Sequence, residues 1–140
     1  MAQFDPQQVL DTYIAAVLAK DVEAFVALYD DQVCVFDMWG EWAYQGAEAW
    51  RGMVTGWFGS LGTERVQVEM QDVQTVLTDQ LALIHASVSY SGLSAEGVKL
   101  RSMHNRLTLV CQPTNGGWKI IHEHSSSPVD LATSKMILQR

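Results

Sequence analysis

Apolar residues recur at two different periods along this chain, and the switch between them divides it in half. Val9, Leu10, Tyr13, Ile14, Val17 and Leu18 fall at helical spacing and form one stripe. Asp5 is placed as N-cap, Pro6 at the first helical position and Gln8 as in a capping box, so a first helix is predicted from Pro6 to Ala19. Asp21 starts a second helix, with Val22, Phe25, Val26, Leu28 and Tyr29 on its buried face, and Asp30-Asp31 ends it. Val33 to Asp37 has β-branched and aromatic character and reads as a first strand. After the aromatic loop Met38-Trp39-Gly40-Glu41, Gly46 opens a third helix. Its apolar positions are Trp50, Val54, Trp57 and Phe58, extended by Met53 and Leu61. Gly52, Gly56 and Gly59 each weaken that helix by roughly 1 kcal/mol relative to alanine, and close packing on a sheet would be one reason to keep them.

From Glu64 the period is that of strands. Val66, Val68 and Met70 alternate, and the parity slips at Gln71-Asp72 before Val73 and Val76, which predicts a β-bulge that bends a long strand. Thr78-Asp79-Gln80 turns into a strand from Leu81 to Tyr90, and a loop from Ser91 to Gly97 leads to another from Val98 to Cys111. Asn115-Gly116-Gly117 is a hairpin signal, and Trp118 to Ser125 is the returning strand. In that strand Trp118, Ile120, His122 and His124 share one face, and Lys119, Ile121, Glu123 and Ser125 the other. Residues 128–140 form either a short closing helix through Met136 or a loose tail. Three helices followed by long hairpin strands predict one α+β domain over residues 1–140: a strongly curved antiparallel sheet with the helices covering its concave face.

Composition narrows the function classes. The chain has 140 residues, 48% of them apolar and 18% charged, enough for one core without staples. Its net charge of −7 repels phosphate backbones and anionic lipid, which argues against nucleic-acid and membrane partners. No apolar run approaches the ~20 residues of a membrane helix, and the N-terminus lacks a secretory pattern, so a cytoplasmic location is expected. Cys34 and Cys111 stand singly and read as buried thiols. Four of the five tryptophans, Trp39, Trp42, Trp50 and Trp57, lie close together, which suits either core filling or the wall of an apolar pocket.

Candidate chemistry gathers in the strands. His122 and His124 are good ligand types for zinc or copper, but nothing in the spacing supplies the remaining ligands, so no metal and no cofactor is assigned. Arg106 in an apolar strand needs a partner, because an unpaired buried charge is costly. Glu123, Asp37 or a ligand anion could serve.

The ending Arg106-Leu107-Thr108, then Gly117-Trp118-Lys119-Ile120-Ile121-His122-Glu123-His124-Ser125, resembles the SnoaL-like and ketosteroid isomerase-like members of the nuclear transport factor 2 superfamily. The association domain of calcium/calmodulin-dependent protein kinase II ends similarly. The resemblance covers nearly the whole chain. It implies a cone-shaped α+β barrel with a pocket between helices and concave sheet, commonly a homodimer across the sheet's outer face. Val9 to Asp37 is similar to the opening of bacterial ketosteroid isomerases. That likeness places Tyr13 on their oxyanion-hole tyrosine and Asp37 on their general base. The chemistry implied is cofactor-free isomerisation, cyclisation or dehydration next to a carbonyl. A non-catalytic ligand-binding or assembly module is the alternative. The family's protonated aspartic acid has no counterpart in Met103-His104-Asn105-Arg106, so Asn105, His104 or Arg106 is left to polarise a carbonyl, or Arg106 to bind a ligand carboxylate. If Ala82, Ile84, Ala86, Val88 and Tyr90 face the cavity, the kinase-domain likeness puts Arg106, Thr108, Ile121, Glu123 and Ser125 beside them. It then leaves Trp118, His122, His124 and His85 outside. With Trp39 and Trp57 as walls, the expected ligand is small and hydrophobic or carboxylate-bearing.

Overall fold

The computed structural model describes residues 4–140. Helix α1 spans Pro6–Ala19, and Asp5 caps it by accepting the Gln7 N–H at 3.0 Å. It stops at Lys20, whose φ of 54° is left-handed. The Lys20 ammonium donates to the carbonyls of Gly62 and Glu64, tying the end of α1 to the approach to the third strand. Helix α2 covers only Val22–Val26, shorter than predicted. Tyr29, expected on that helix, begins strand β1, Tyr29–Phe36, because a ladder with the last strand captures it: Tyr29 pairs with Ile120, and the Ile120 N–H donates to the Leu28 carbonyl at 2.8 Å. Two-residue strand β2, Tyr44–Gln45, carried no periodic signal. Helix α3 is Ala47–Ser60, with Trp50, Val54 and Phe58 buried as the spacing predicts. A Cβ at Gly52, Gly56 or Gly59 would meet nothing within 4 Å, so close packing does not account for these glycines.

Strands β3 (Arg65–Leu77), β4 (Ala82–Leu93), β5 (Lys99–Thr114) and β6 (Gly117–Ser126) form an antiparallel meander. Strand β1 joins β6 in parallel and β2 lies outside it, giving the order β2-β1-β6-β5-β4-β3 in an open six-stranded sheet. The bulge expected in β3 is present. Register shifts between Gln71 and Gln74, and Asp72 takes φ 55°. The helices and one face of the sheet enclose a single apolar cluster in which Leu10, Val17, Phe25, Val54, Ile84, Leu109 and Ile120 are buried.

A second bulge, in β6, settles which way its residues face. Cys111 pairs with Ile120 but Val110 with His122, so Ile121 is the extra residue and the parity reverses there. Ile120, Glu123 and Ser125 are all buried. Trp118, expected outside, packs against the core and stacks on Phe4 at 4.4 Å.

The C-terminal segment is neither a helix nor loose. Val129 bridges to Met136, Asp130 accepts the N–H groups of Ala132 and Thr133, and the Leu138 carbonyl accepts the His104 N–H at 2.7 Å.

Candidate functional site

Between α1, α3 and the inner face of the sheet lies a cavity of about 540 Å³, within the range of small-molecule sites. Trp39, Trp50, Met53 and Trp57 supply apolar walls from α3 and the loop before it, and Leu61, Val66 and Leu138 continue them. Tyr13 from α1, Tyr90 from β4, Asn105 from β5 and Glu123 with Ser125 from β6 bring polar groups to the same space, with Asp37 just past β1.

Asp37 follows directly from the parallel ladder. Phe36 pairs with His124, so the next step brings Asp37 to Ser125, whose Oγ donates to Oδ1 at 3.0 Å; the Trp39 N–H reaches Oδ2 at 3.3 Å. Burial raises the Asp37 pKa above the ordinary carboxylate range, and these hydrogen bonds oppose the rise without cancelling it. Glu123 is buried more completely, at 2% exposure. Desolvation pushes its pKa up to about 8, with the hydrogen bond from Tyr29 (O–H to Oε1, 2.5 Å) pulling it down and the Asp37 charge adding to the rise. At neutral pH Glu123 is therefore mostly a neutral acid, while Asp37, more exposed and better solvated by donors, is the group more readily ionised.

The Tyr13 and Tyr90 hydroxyls lie 3.0 Å apart. Burial raises both their pKa values, as it does for Tyr29, so all three remain protonated donors. Asn105, 8% exposed, directs its Nδ2 at the Met38 sulfur at 3.4 Å, and its Oδ1 has no partner among the described residues. These groups can accept a proton at one carboxylate and donate hydrogen bonds from hydroxyls and a neutral acid.

Of the residues named from the sequence, Tyr13, Asp37, Trp39, Trp57, Tyr90, Asn105 and Glu123 meet in this cavity. His104 and Arg106 do not. Asn105 pairs with Val88, an inward residue of β4, so its chain neighbours face away. His104 lies under the C-terminal segment, and Arg106 is exposed with Nη2 on Ser126 Oγ at 3.1 Å; neither Asp37 nor Glu123 is its partner. Thr108 likewise pairs with the outward His85 and His124. The exposed His124 and half-buried His122 flank Phe36 edge-on outside the cavity, and His122 Nδ1 is 2.7 Å from the Cys34 carbonyl. Among the described residues no group of three metal-ligating side chains exists. Two further residues carry no signal in the sequence: Tyr29, which donates to Glu123, and Arg101 of β5, which also lines the cavity. Tyr29 was hidden by its apparent place in a helix, and Arg101 by standing in a strand whose inward face no local pattern marks.

Helices over one face of an open, bulged sheet, with acids, hydroxyls and tryptophans converging on a cavity between them, define an α+β pocket protein of the cystatin-like class. The chain belongs to the SnoaL-like domain family, which matches residues 7–130. Among solved structures it is similar to an NTF2-like protein of unknown function from Pseudomonas putida KT2440, with 23% identity, TM-score 0.83, and 96% of this chain and 92% of that one covered. It is also similar to an uncharacterised protein with a cystatin-like fold from Caulobacter vibrioides, at 18% identity and TM-score 0.69, covering 85% and 84%. A third similar structure is a nuclear transport factor 2-like superfamily protein from Salmonella enterica, at 14% identity and TM-score 0.70, covering 93% of each. At these identities the likeness establishes the fold alone. No curated protein matches the chain. Among the described residues no helix is long and apolar enough to cross a membrane.

Proposed function

We propose that this cavity binds a small, mainly apolar carbonyl compound and moves a proton on the carbon beside the carbonyl, without a cofactor. Asp37 takes the proton and returns it to a nearby carbon. The enolate oxygen that forms meanwhile is held by the tyrosine pair, which keeps one hydroxyl hydrogen free after the Tyr13–Tyr90 bond, and by the neutral Glu123 carboxyl. Isomerisation, cyclisation and dehydration all pass through such a step.

The observation that supports this reading is the pairing of two carboxyl groups of unlike proton affinity with hydroxyl donors in one apolar cavity. Perturbed acids in a cleft are the pattern that acid/base sites require. The test is solvent deuterium exchange into the α-positions of 2-tetralone, followed by NMR. Wild-type protein should accelerate exchange, and Asp37→Asn should lose at least about a hundredfold of that acceleration, with fold and tetralone binding retained. Exchange undiminished in Asp37→Asn removes Asp37 as the base.

A second reading is a binding module without turnover. It is favoured by the two hydrogen bonds that already engage the Asp37 carboxylate, from Ser125 and Trp39. Binding with no exchange by wild-type protein on any enolisable ketone would select it.

A further inference from the structure

The polar groups of the cavity are unevenly distributed along it. Asp37, Glu123 and the tyrosine pair gather around the segment of β5 that carries Asn105. The one cation among the described lining residues, Arg101, stands four residues earlier on the same strand. Four residues at ~3.3 Å each put it roughly 13 Å away. Met103 stands between them on β5, and Met53 and Trp57 of α3 line the same cavity. The site thus has a proton-handling end, an apolar middle and a cationic rim.

Arg101 is held there by local structure. It pairs directly with Gly92 across the β4–β5 ladder. A side chain at Gly92 would place its Cβ 3.2 Å from the Arg101 Cζ and 3.5 Å from Cγ and Nη1, so the missing side chain gives the guanidinium stem its bed. Gly92 is itself buried and lines the cavity. Glu64 fixes the far side of the guanidinium, accepting from Nη2 at 2.5 Å. A guanidinium carries five N–H donors in a rigid fork, and this contact uses one of them.

We infer that Arg101 is the anion anchor of the site: the ligand is an amphipathic carboxylate whose apolar body lies along the tryptophan walls and whose acid group meets Arg101 at the rim. Arg101 shares the inward parity of β5 with Asn105, whereas Arg106 stands on the outward one. This inference rests on the cavity being a ligand site, as proposed above, and not on any turnover there. An acid group held by Arg101, four residues along β5 from Asn105, would fix how far the ligand enters, and so which carbon faces Asp37. The guanidinium is 62% exposed at its side chain, so it is accessible to a ligand, and an ion pair with Glu64 at such exposure is weak enough to be shared.

The experiment uses 4-(2-naphthyl)butanoate and its primary amide, matched in length and shape, with binding read from quenching of the wall tryptophans. Wild-type protein should bind the carboxylate about tenfold tighter than the amide. Arg101→Gln should bring that ratio to about one with amide affinity unchanged, and Glu64→Gln, which removes the competing acid, should raise the ratio. Both positions are exposed enough for the fold to survive, and the amide reports that the cavity is intact. A carboxylate preference that persists in Arg101→Gln overturns the assignment, as does equal binding of the two probes by wild type, which would leave the cavity itself a ligand site. Binding of neither probe overturns the ligand cavity and this inference together.

Discussion

At the scale of single residues, Glu123 depends most on its neighbours. A carboxyl group at 2% exposure is tolerated because Tyr29 donates to it at 2.5 Å and because it keeps its proton. Tyr29→Phe deletes that donor while preserving the ring contacts with Phe25 and Trp50. The expected cost is about 1–3 kcal/mol in chemical denaturation. Since the Tyr29 hydrogen bond lowers the Glu123 pKa, its loss should also move the carboxyl titration, followed by NMR, above about 8. A titration that falls or stays put would show that Tyr29 does not solvate this acid. The residue types of the site were legible in the sequence: a carboxylate closing the first strand, a tyrosine on a helix stripe, an acid between two histidines. The Tyr29–Glu123 bond joins residues 94 positions apart, and no local pattern encodes such a contact.

At the scale of elements, two bulges decide what the sheet presents. The one in β3 could be seen as a parity slip because apolar residues stand on both sides of it. It needs Asp72 at φ 55°, a conformation open to aspartate and asparagine but unfavourable for a β-branched side chain. Asp72→Val should therefore lower stability by roughly 1–2 kcal/mol, and Asp72→Asn should be close to neutral, in thermal unfolding. Equal effects of the two would mean that the left-handed backbone is not what the position requires. The bulge at Ile121 was hidden, because Ile120 and Ile121 are equally apolar and either can point inward. Choosing Ile120 sends Trp118 to the core while keeping Glu123 and Ser125 in the cavity. The facing of β5 was hidden for a related reason: apolar, polar and charged residues from Met103 to Thr108 fit either face until pairing with Val88 and Ala86 puts Asn105 and Leu107 inside.

At the scale of the whole molecule, the buried acids tie folding to pH. Glu123 binds its proton with a pKa of about 8 when folded, against 4.5 for the free side chain, and Asp37 is shifted in the same direction. Between those two values the folded chain holds more protons than the unfolded one, so stability is fully present below about pH 4.5 and is lost as pH rises through about 8. Denaturant midpoints should accordingly fall from mildly acid to mildly alkaline solution. Glu123→Gln, neutral at every pH, should flatten most of that decline. A decline of the same slope in Glu123→Gln would place its origin elsewhere.

The sequence by itself determined most of the elements and their order: α1 to the residue, the buried face of α3, the β3 bulge, the hairpin at Asn115 and the α+β class. These are set by spacing, caps and turn residues within a few positions of one another, where local sterics and hydrophobic periodicity act. Only the tertiary structure decided where α2 gives way to β1, which face of β5 and β6 lines the cavity, that Leu138 closes one wall, and that Arg101 rather than Arg106 stands at the rim. Each of those outcomes depends on contacts between distant segments, and in the strands a shift of one residue exchanges inside for outside with nothing local to oppose it.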